Sequence, residues 1–377
     1  MIIEWDKMAL IKRLFRFMRS LLSILIISFI LGELTFQLLK PNIPYQYAPQ
    51  KIIQNFWEES PIIEATLKKS HEGHFLMSGA RFDSIVRTNS LGWRDDEPDS
   101  RKKVLVIGDS FTFGWGVNNN ETIPYNLEEI YKNEYDFINL GFTAGGSPDS
   151  YATYLRHHKD LQKIPTILIL FTNDWYEIKN NICVHVDGSI SKSPTIGCNK
   201  IVGTNTKIVN GVRFLGKRPS IIMRLPTSII YWLKQSYVIA SIRTIASFYK
   251  GINPRELAAI KSSKYLTENE QDSLHGLLDE IFLLSGESLM IVSLNSSDEI
   301  GKNTKSFYDA VKKFCALNNE VHCLNIPQVD STKTFKNDRH FNNIGTEYVA
   351  TIIQDYVEEV NFLKSKDARV QIEKQTN

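Results

Sequence analysis

Short runs of β-branched and aliphatic residues alternate with amphipathic stretches through most of the chain beyond residue 100. KVLVIG (103–108), DFINLG (136–141), TILILF (166–171), SLMIVSL (288–294) and EVHCLNI (320–326) each have the length and apolar density of a strand buried on both faces. Residues 122–132, 149–162, 267–284, 304–317 and 342–360 read as helices. The helix at 267 opens with TENE, where Thr267 and Glu270 make a capping-box pattern. Strands alternating with helices predict βαβ units and a parallel sheet covered on both faces. Five strands predict a flavodoxin-like three-layer α/β/α sandwich. Ligands in such sheets bind at the carboxyl ends of the strands, so the chemistry is expected in the loops that follow them.

Four stretches break this pattern. The most apolar is LLSILIISFILGELTFQLL (21–39), interrupted only by Glu33 and preceded by Lys7, Lys12, Arg13, Arg16 and Arg19. About 19 residues can cross a bilayer as a helix, and the basic flank predicts that residues 1–20 stay in the cytoplasm. The segment after Ile30 has no A-x-A-like cleavage site, so an uncleaved anchor is expected, with the rest of the chain extracytoplasmic. An ionised carboxylate in mid-membrane is costly; Glu33 lies towards the outer third, where the cost falls. A second apolar stretch, 225–249, is broken by Lys234 and Arg243 and reads as one or two amphipathic helices. It belongs to a long connection, 176–266, expected to be an inserted subdomain. Residues 40–100 form a lead-in with few periodic signals, and 363–377 a tail; the strand–helix pattern occupies 101–175 and 267–362.

A net charge of +2, from 44 basic and 42 acidic residues, gives no support for a nucleic-acid partner. The four cysteines are too few for a disulfide scaffold and have no zinc-like spacing. In an oxidising compartment Cys183 can pair with Cys198, and Cys315 with Cys323, although Cys323 also reads as a buried strand residue.

Four strand ends carry candidate chemistry. The first strand runs into Gly108-Asp109-Ser110-Phe111-Thr112-Phe113-Gly114, which places a serine on a turn that opens a helix, beside backbone N–H groups. The second ends in Gly141-Phe142-Thr143-Ala144-Gly145-Gly146, and the third in Phe171-Thr172-Asn173-Asp174. The last strand is followed by Asn337-Asp338-Arg339-His340-Phe341. Ser110 and His340 are far apart in sequence, yet the predicted topology brings both to one rim of one sheet.

In this order the blocks resemble those of the SGNH, or GDSL, hydrolase family, over about residues 100–175 and 270–360. The resemblance implies ester chemistry through an acyl-enzyme. Ser110 would be the nucleophile, His340 its base and Asp338 the acid that orients the imidazole. The backbone N–H of Ser110, that of Gly145 or Ala144, and the Asn173 amide would form the oxyanion hole. Two departures stand out: Phe171 replaces the glycine of the family's G-x-N-D block, and D-x-H replaces the usual D-x-x-H. The shorter spacing resembles membrane-linked and polysaccharide-modifying branches; at the longer spacing the acid position would be Asn337. Asn89-Ser90-Leu91-Gly92-Trp93-Arg94 also resembles a lead-in of membrane-anchored members. No metal or organic cofactor is implied. The expected substrate is an ester-bearing glycan or lipid of the cell envelope, with the membrane as partner through the N-terminal helix. Transfer of the acyl group to a sugar hydroxyl and a non-catalytic glycan-binding or assembly role are the alternatives. A phosphate-binding module is weaker, since GDSFTFG has neither the P-loop lysine nor G-x-G-x-x-G.

Overall fold

A computed structural model describes residues 2–39, 52–77, 82–132, 134–142, 146–178, 181–192, 195–203, 206–209, 212–215, 236–249, 266–295, 302–335 and 338–364. By its internal contacts the chain divides into two units. One comprises Met1–Lys51 and Arg218–Pro254, the other Ile52–Lys217 and Arg255–Asn377.

In the first unit, helix α1 (Ile2–Leu39) contains an apolar window, Phe15–Phe36, long enough to cross a membrane and with none of it buried. The second unit begins with five short strands, β1 (Ile52–Gln54), β2 (Trp57–Glu59), β3 (Ala65–Leu67), β4 (Glu72–Met77) and β5 (Phe82–Arg87). They form an antiparallel sheet of order β1-β4-β5 and a β2-β3 pair. Next come β6 (Lys102–Gly108), helix α2 (Ser110–Phe113), α3 (Ile123–Tyr131), β7 (Tyr135–Gly141), α4 (Pro148–His157), β8 (Thr166–Leu170) and α5 (Thr172–Ile178). Five short strands follow: β9 (Asn181–Val184), β10 (Ile190–Lys192), β11 (Lys200–Gly203), β12 (Thr206–Val209) and β13 (Val212–Leu215). The Cys183–Cys198 disulfide lies among them and packs with Ile201. Of the apolar stretch 225–249, the described part is Ser236 and helix α6 (Tyr237–Tyr249), which belong to the first unit; residues 225–235 lie outside the described residues. The second unit then closes with α7 (Glu268–Leu284), β14 (Leu289–Leu294), α8 (Lys302–Leu317), β15 (His322–Ile326) and α9 (Asn343–Glu359).

The central sheet has the order β15-β14-β8-β6-β7 and is parallel throughout. Numbered by its own strands this is 2-1-3-4-5, the flavodoxin-like arrangement. Alternation along each strand feeds two cores. Val104, Val106, Ile167, Ile169, Met290 and Val292 face α3 and α9. Leu105, Ile107, Leu168, Leu170, Leu289 and Ile291 face α4, α5, α7 and α8. Burial on both sides explains why these strands read as continuous apolar runs. Helix starts are set by local chemistry: Thr122 caps α3, Asn342 caps α9, and Thr267 with Glu270 forms the capping box expected of α7. The helix expected over 149–162 is shorter; α4 stops at His157, and Lys159–Leu161 is a separate 3₁₀ turn. Cys315 and Cys323 are also bonded, joining the end of α8 to β15.

Candidate active site

The strand order leaves β6 between β7 and β8, and its carboxyl end opens onto α2. Asp109 caps that one-turn helix, its Oδ1 accepting the Phe111 N–H at 2.9 Å. Ser110, the first helical residue, is 5% exposed. The turn lies hard against the sheet. A Cβ on Gly141 would come within 2.1 Å of the Phe113 nitrogen, so only glycine ends β7 there. Gly114 closes the turn with φ at 86°, the left-handed region that favours glycine.

The loop before α9 delivers the histidine. Phe335 N–H donates to the His340 carbonyl at 3.0 Å, and Thr334 bridges Phe341, which narrows the loop. His340 Nε2 lies 2.7 Å from Ser110 Oγ. On the other side of the ring, Nδ1 lies 2.5 Å from Asp338 Oδ1, and the same oxygen accepts the His340 backbone N–H at 2.9 Å. The D-x-H spacing thus lets one carboxylate hold both the backbone and the ring of His340. Burial opposes ionisation of Asp338, but attraction to His340 and these hydrogen bonds hold its carboxyl below the ordinary 3.8.

Asp109 behaves oppositely. Burial raises its pKa, outweighing the Phe111 N–H, the His340 charge and hydrogen bonds from Asn173 and Ser110. Asn173, expected to face an oxyanion, sits in the first turn of α5 with its side chain hydrogen-bonded to Asp109. Its neighbour Asp174 is structural: it accepts the Phe171 N–H at 2.7 Å and the Tyr151 hydroxyl at 2.9 Å. Phe171, where the family pattern has glycine, packs its ring 4.5 Å from Phe111. Ala144 and Gly145 lie outside the described residues. Among the described residues no cluster of His, Cys, Asp or Glu could hold a metal ion.

Three contributors escape the sequence reading. Phe111 and Trp115 both pack on the His340 ring, with centroids 4.8 and 5.1 Å away. Trp115 is backed in turn by Phe75 of β4, edge-on at 4.7 Å. The third is Arg94, whose guanidinium is buried. It donates to the carbonyls of Phe113 (2.9 Å), Gly114 (2.6 Å) and Val117 (2.5 Å) and to Asn119 Oδ1 (3.0 Å), with its plane over the Phe113 ring. Burial lowers its pKa to about 9 against the pull of Glu121, so it stays charged at neutral pH. The lead-in block therefore has a structural task. Asn89 Oδ1 accepts the Leu91 and Trp93 N–H groups, Trp93 donates to the Tyr154 hydroxyl, and Arg94 laces the segment after Ser110. The signal for Trp115 was its place directly after the serine block; for Arg94 there was only a basic residue after Gly-Trp.

No family model matches the chain, and no curated protein does. Among solved structures it is similar to AlinE4, an SGNH-hydrolase family esterase: 13% identity, TM-score 0.33, covering 70% of this chain and 98% of that one. It is also similar to SsfX3, a salicylyl-acyltransferase from a tetracycline biosynthetic pathway: 13% identity, TM-score 0.32, covering 71% of this chain and 58% of that one.

Proposed function

We propose that this protein is a membrane-anchored, extracytoplasmic serine ester hydrolase of the SGNH type, acting on an ester of the cell envelope such as O-acetyl on polysaccharide. The observation that carries the reading is the chain of contacts from Ser110 Oγ through His340 to Asp338. Asp338 favours the tautomer with the proton on Nδ1, which leaves Nε2 as acceptor for the Ser110 proton. Ser110 Oγ then bonds the ester carbonyl carbon, and the carbonyl electron pair moves to oxygen. The Ser110 N–H, the N–H of Gly145 or Ala144 and the Asn173 amide are the donors for that oxyanion; an amide nitrogen has two N–H groups and can serve both Asp109 and the oxyanion. Collapse expels the alcohol, which takes the proton from His340 Nε2. Water, deprotonated by the same nitrogen, releases the acid and restores Ser110. A sugar hydroxyl in place of water would make the second step an acyl transfer.

Membrane attachment draws on the unburied apolar window of α1. The basic flank supports an outward-facing catalytic unit, and so do two disulfides, which persist in oxidising compartments.

The test is covalent labelling of the full chain in detergent with a fluorophosphonate, beside Ser110→Ala. Labelling of the wild type, located on Ser110 by peptide mass and absent from the variant, is expected. A folded wild type that resists the probe would overturn the enzymatic reading in favour of a binding or assembly role.

A further inference from the structure

Glu33 is the one carboxylate in the Phe15–Phe36 window of α1. It is answered from within its own unit. Its side chain accepts the backbone N–H groups of Tyr237 (2.9 Å) and Val238 (3.2 Å) and the hydroxyl of Ser236 (2.8 Å). The first N–H groups of a helix have no partner inside it, and that end carries the positive pole of the helix dipole. A carboxylate and an unfilled helix start are each costly in hydrocarbon and each tolerable in water. Joined, they remove both costs, which is useful mainly at membrane depth. Next to Glu33 the approach is close: a Cβ on Gly32 would lie 3.2 Å from Val238 Cγ2, the small-residue contact typical of helices packed in lipid.

We propose that α6 is a second membrane-contacting element, which lies at the outer boundary of the bilayer against the end of α1, so that the partner of its apolar face is lipid. The proposal rests on the membrane reading of α1. If Phe15–Phe36 spans, Glu33 lies three residues, about 4.5 Å, inside its outer end, and the start of α6 is held at that depth. The sequence of α6, YVIASIRTIASFY, has one charge, Arg243, in thirteen residues. Val238, Ile242 and Ile245 fall on one helical face. Val238 meets α1, while Ile242 and Ile245 are 58% and 55% exposed. Leu25, Ile26 and Ile30 of α1 are exposed as well and would themselves face lipid. An interfacial helix of this kind keeps its apolar side in the acyl boundary and lets a long cation reach the headgroups. The unit that carries Ser110 is then joined to the membrane unit at three points of the chain, after residues 51, 217 and 254.

All four cysteines are in disulfides, so a cysteine introduced by substitution is the single free thiol. The experiment places an environment-sensitive fluorophore on Ile242→Cys, Ile245→Cys, Leu25→Cys and Asp187→Cys in the full chain. The proteins are reconstituted into phosphatidylcholine–phosphatidylglycerol vesicles and quenched either by lipids with a nitroxide near the headgroup or deep in the acyl chain, or by iodide on both sides. Labels at 242 and 245 are expected to be quenched by the lipid at least about twofold more than the label at 187, and by iodide several-fold less. Adding Glu33→Ala is expected to make 242 accessible to iodide while 25 is unchanged. Iodide access at 242 and 245 equal to that at 187 overturns the proposal. So does silence to both quenchers, which would mean a protein cover such as a second copy. An unchanged 242 in the Glu33→Ala background overturns the pinning by Glu33. Lipid quenching at 25 without quenching at 242 and 245 sinks this proposal alone; its absence at all three positions sinks the membrane reading beneath it.

Discussion

The turn after β6 and the loop before α9 meet at a hydrogen bond between Ser110 and His340, but they are held in different ways. The serine turn is fixed through its backbone. Asp109 caps it, Gly141 lets it lie against the sheet, and Arg94 gathers the three carbonyls that follow it. The histidine loop has backbone bonds of its own, but the imidazole is set through a side chain: Asp338 grips both the ring and the backbone N–H of His340, and aromatic rings pack on the imidazole. The serine is therefore positioned by the fold, and the histidine by its own acid. Substitutions on the serine side should cost mostly stability, and those on the histidine side mostly rate.

The sharpest test of that split is Asp338→Asn. The amide occupies the same volume, but Oδ1 meets both the backbone N–H and the ring of His340, so a nitrogen in its place gives up the acceptor for that N–H. It also presents an N–H towards the ring, which favours the wrong tautomer. Fluorophosphonate labelling of Ser110 should slow by about 10³–10⁴-fold, while the melting temperature moves by no more than a few degrees. A labelling rate within tenfold of the wild type would show that the fold, rather than Asp338, orients the imidazole.

Arg94→Met should give the reverse. The methionine fills much of the space but supplies no donors, which leaves the carbonyls of Phe113 and Val117 without the guanidinium and that of Gly114 with the Val117 N–H at 3.3 Å. Unsatisfied buried acceptors cost about 1–3 kcal/mol each. A loss of about 3 kcal/mol or more is expected, seen as a melting point lowered by roughly 6–12 °C. Arg94→Lys should recover little of it, because one ammonium cannot reach what the planar guanidinium fork reaches. Well below the melting point, labelling of the Met variant should stay within tenfold of the wild type. If the melting point holds and labelling collapses, Arg94 acts on the chemistry and the proposed division fails.

What could be read from the sequence follows the same physics. The five central strands announced themselves because both their faces are buried, and the helices because Thr122, Thr267 and Asn342 cap them through local hydrogen bonds. Ser110, His340 and Asp338 stood in short blocks at strand ends, and the parallel topology brings them together. The strands of the lead-in were not legible, since three of the five have only three residues and β5 alternates through an inward-facing Ser84. Arg94 is a basic residue whose partners are carbonyls, and carbonyls leave no trace in a residue pattern. Asn173 shows the opposite difficulty: its block was visible, but the contact with Asp109 depends on how β6 and β8 sit side by side. Phe171, a position where the sequence resemblance has glycine, packs its ring on Phe111, a contact between two strand ends that no local pattern announces.

The smallest expected effect concerns the carboxyl that belongs to the serine side. Asp109 is buried and its pKa is raised, above all by burial. In the unfolded chain the same carboxyl ionises near 3.8. As pH rises past that value the unfolded state loses its proton first, so the native protein loses stability until pH passes the folded pKa, and then levels off. Asp109→Asn removes this titration while keeping an oxygen that can accept from Phe111 N–H and Asn173. The variant and the wild type should therefore melt close together in acid, with the gap in favour of asparagine widening as pH rises and flattening towards neutrality. Each pKa unit of elevation is worth about 1.4 kcal/mol, or roughly 3–6 °C for a protein of this size. Melting curves of the full chain in detergent, taken from pH 4 to pH 8, read the sign directly. A gap that shrinks with pH would mean that the hydrogen bonds to Asp109 outweigh its burial. The serine turn would then be held by a charge, as the histidine loop is.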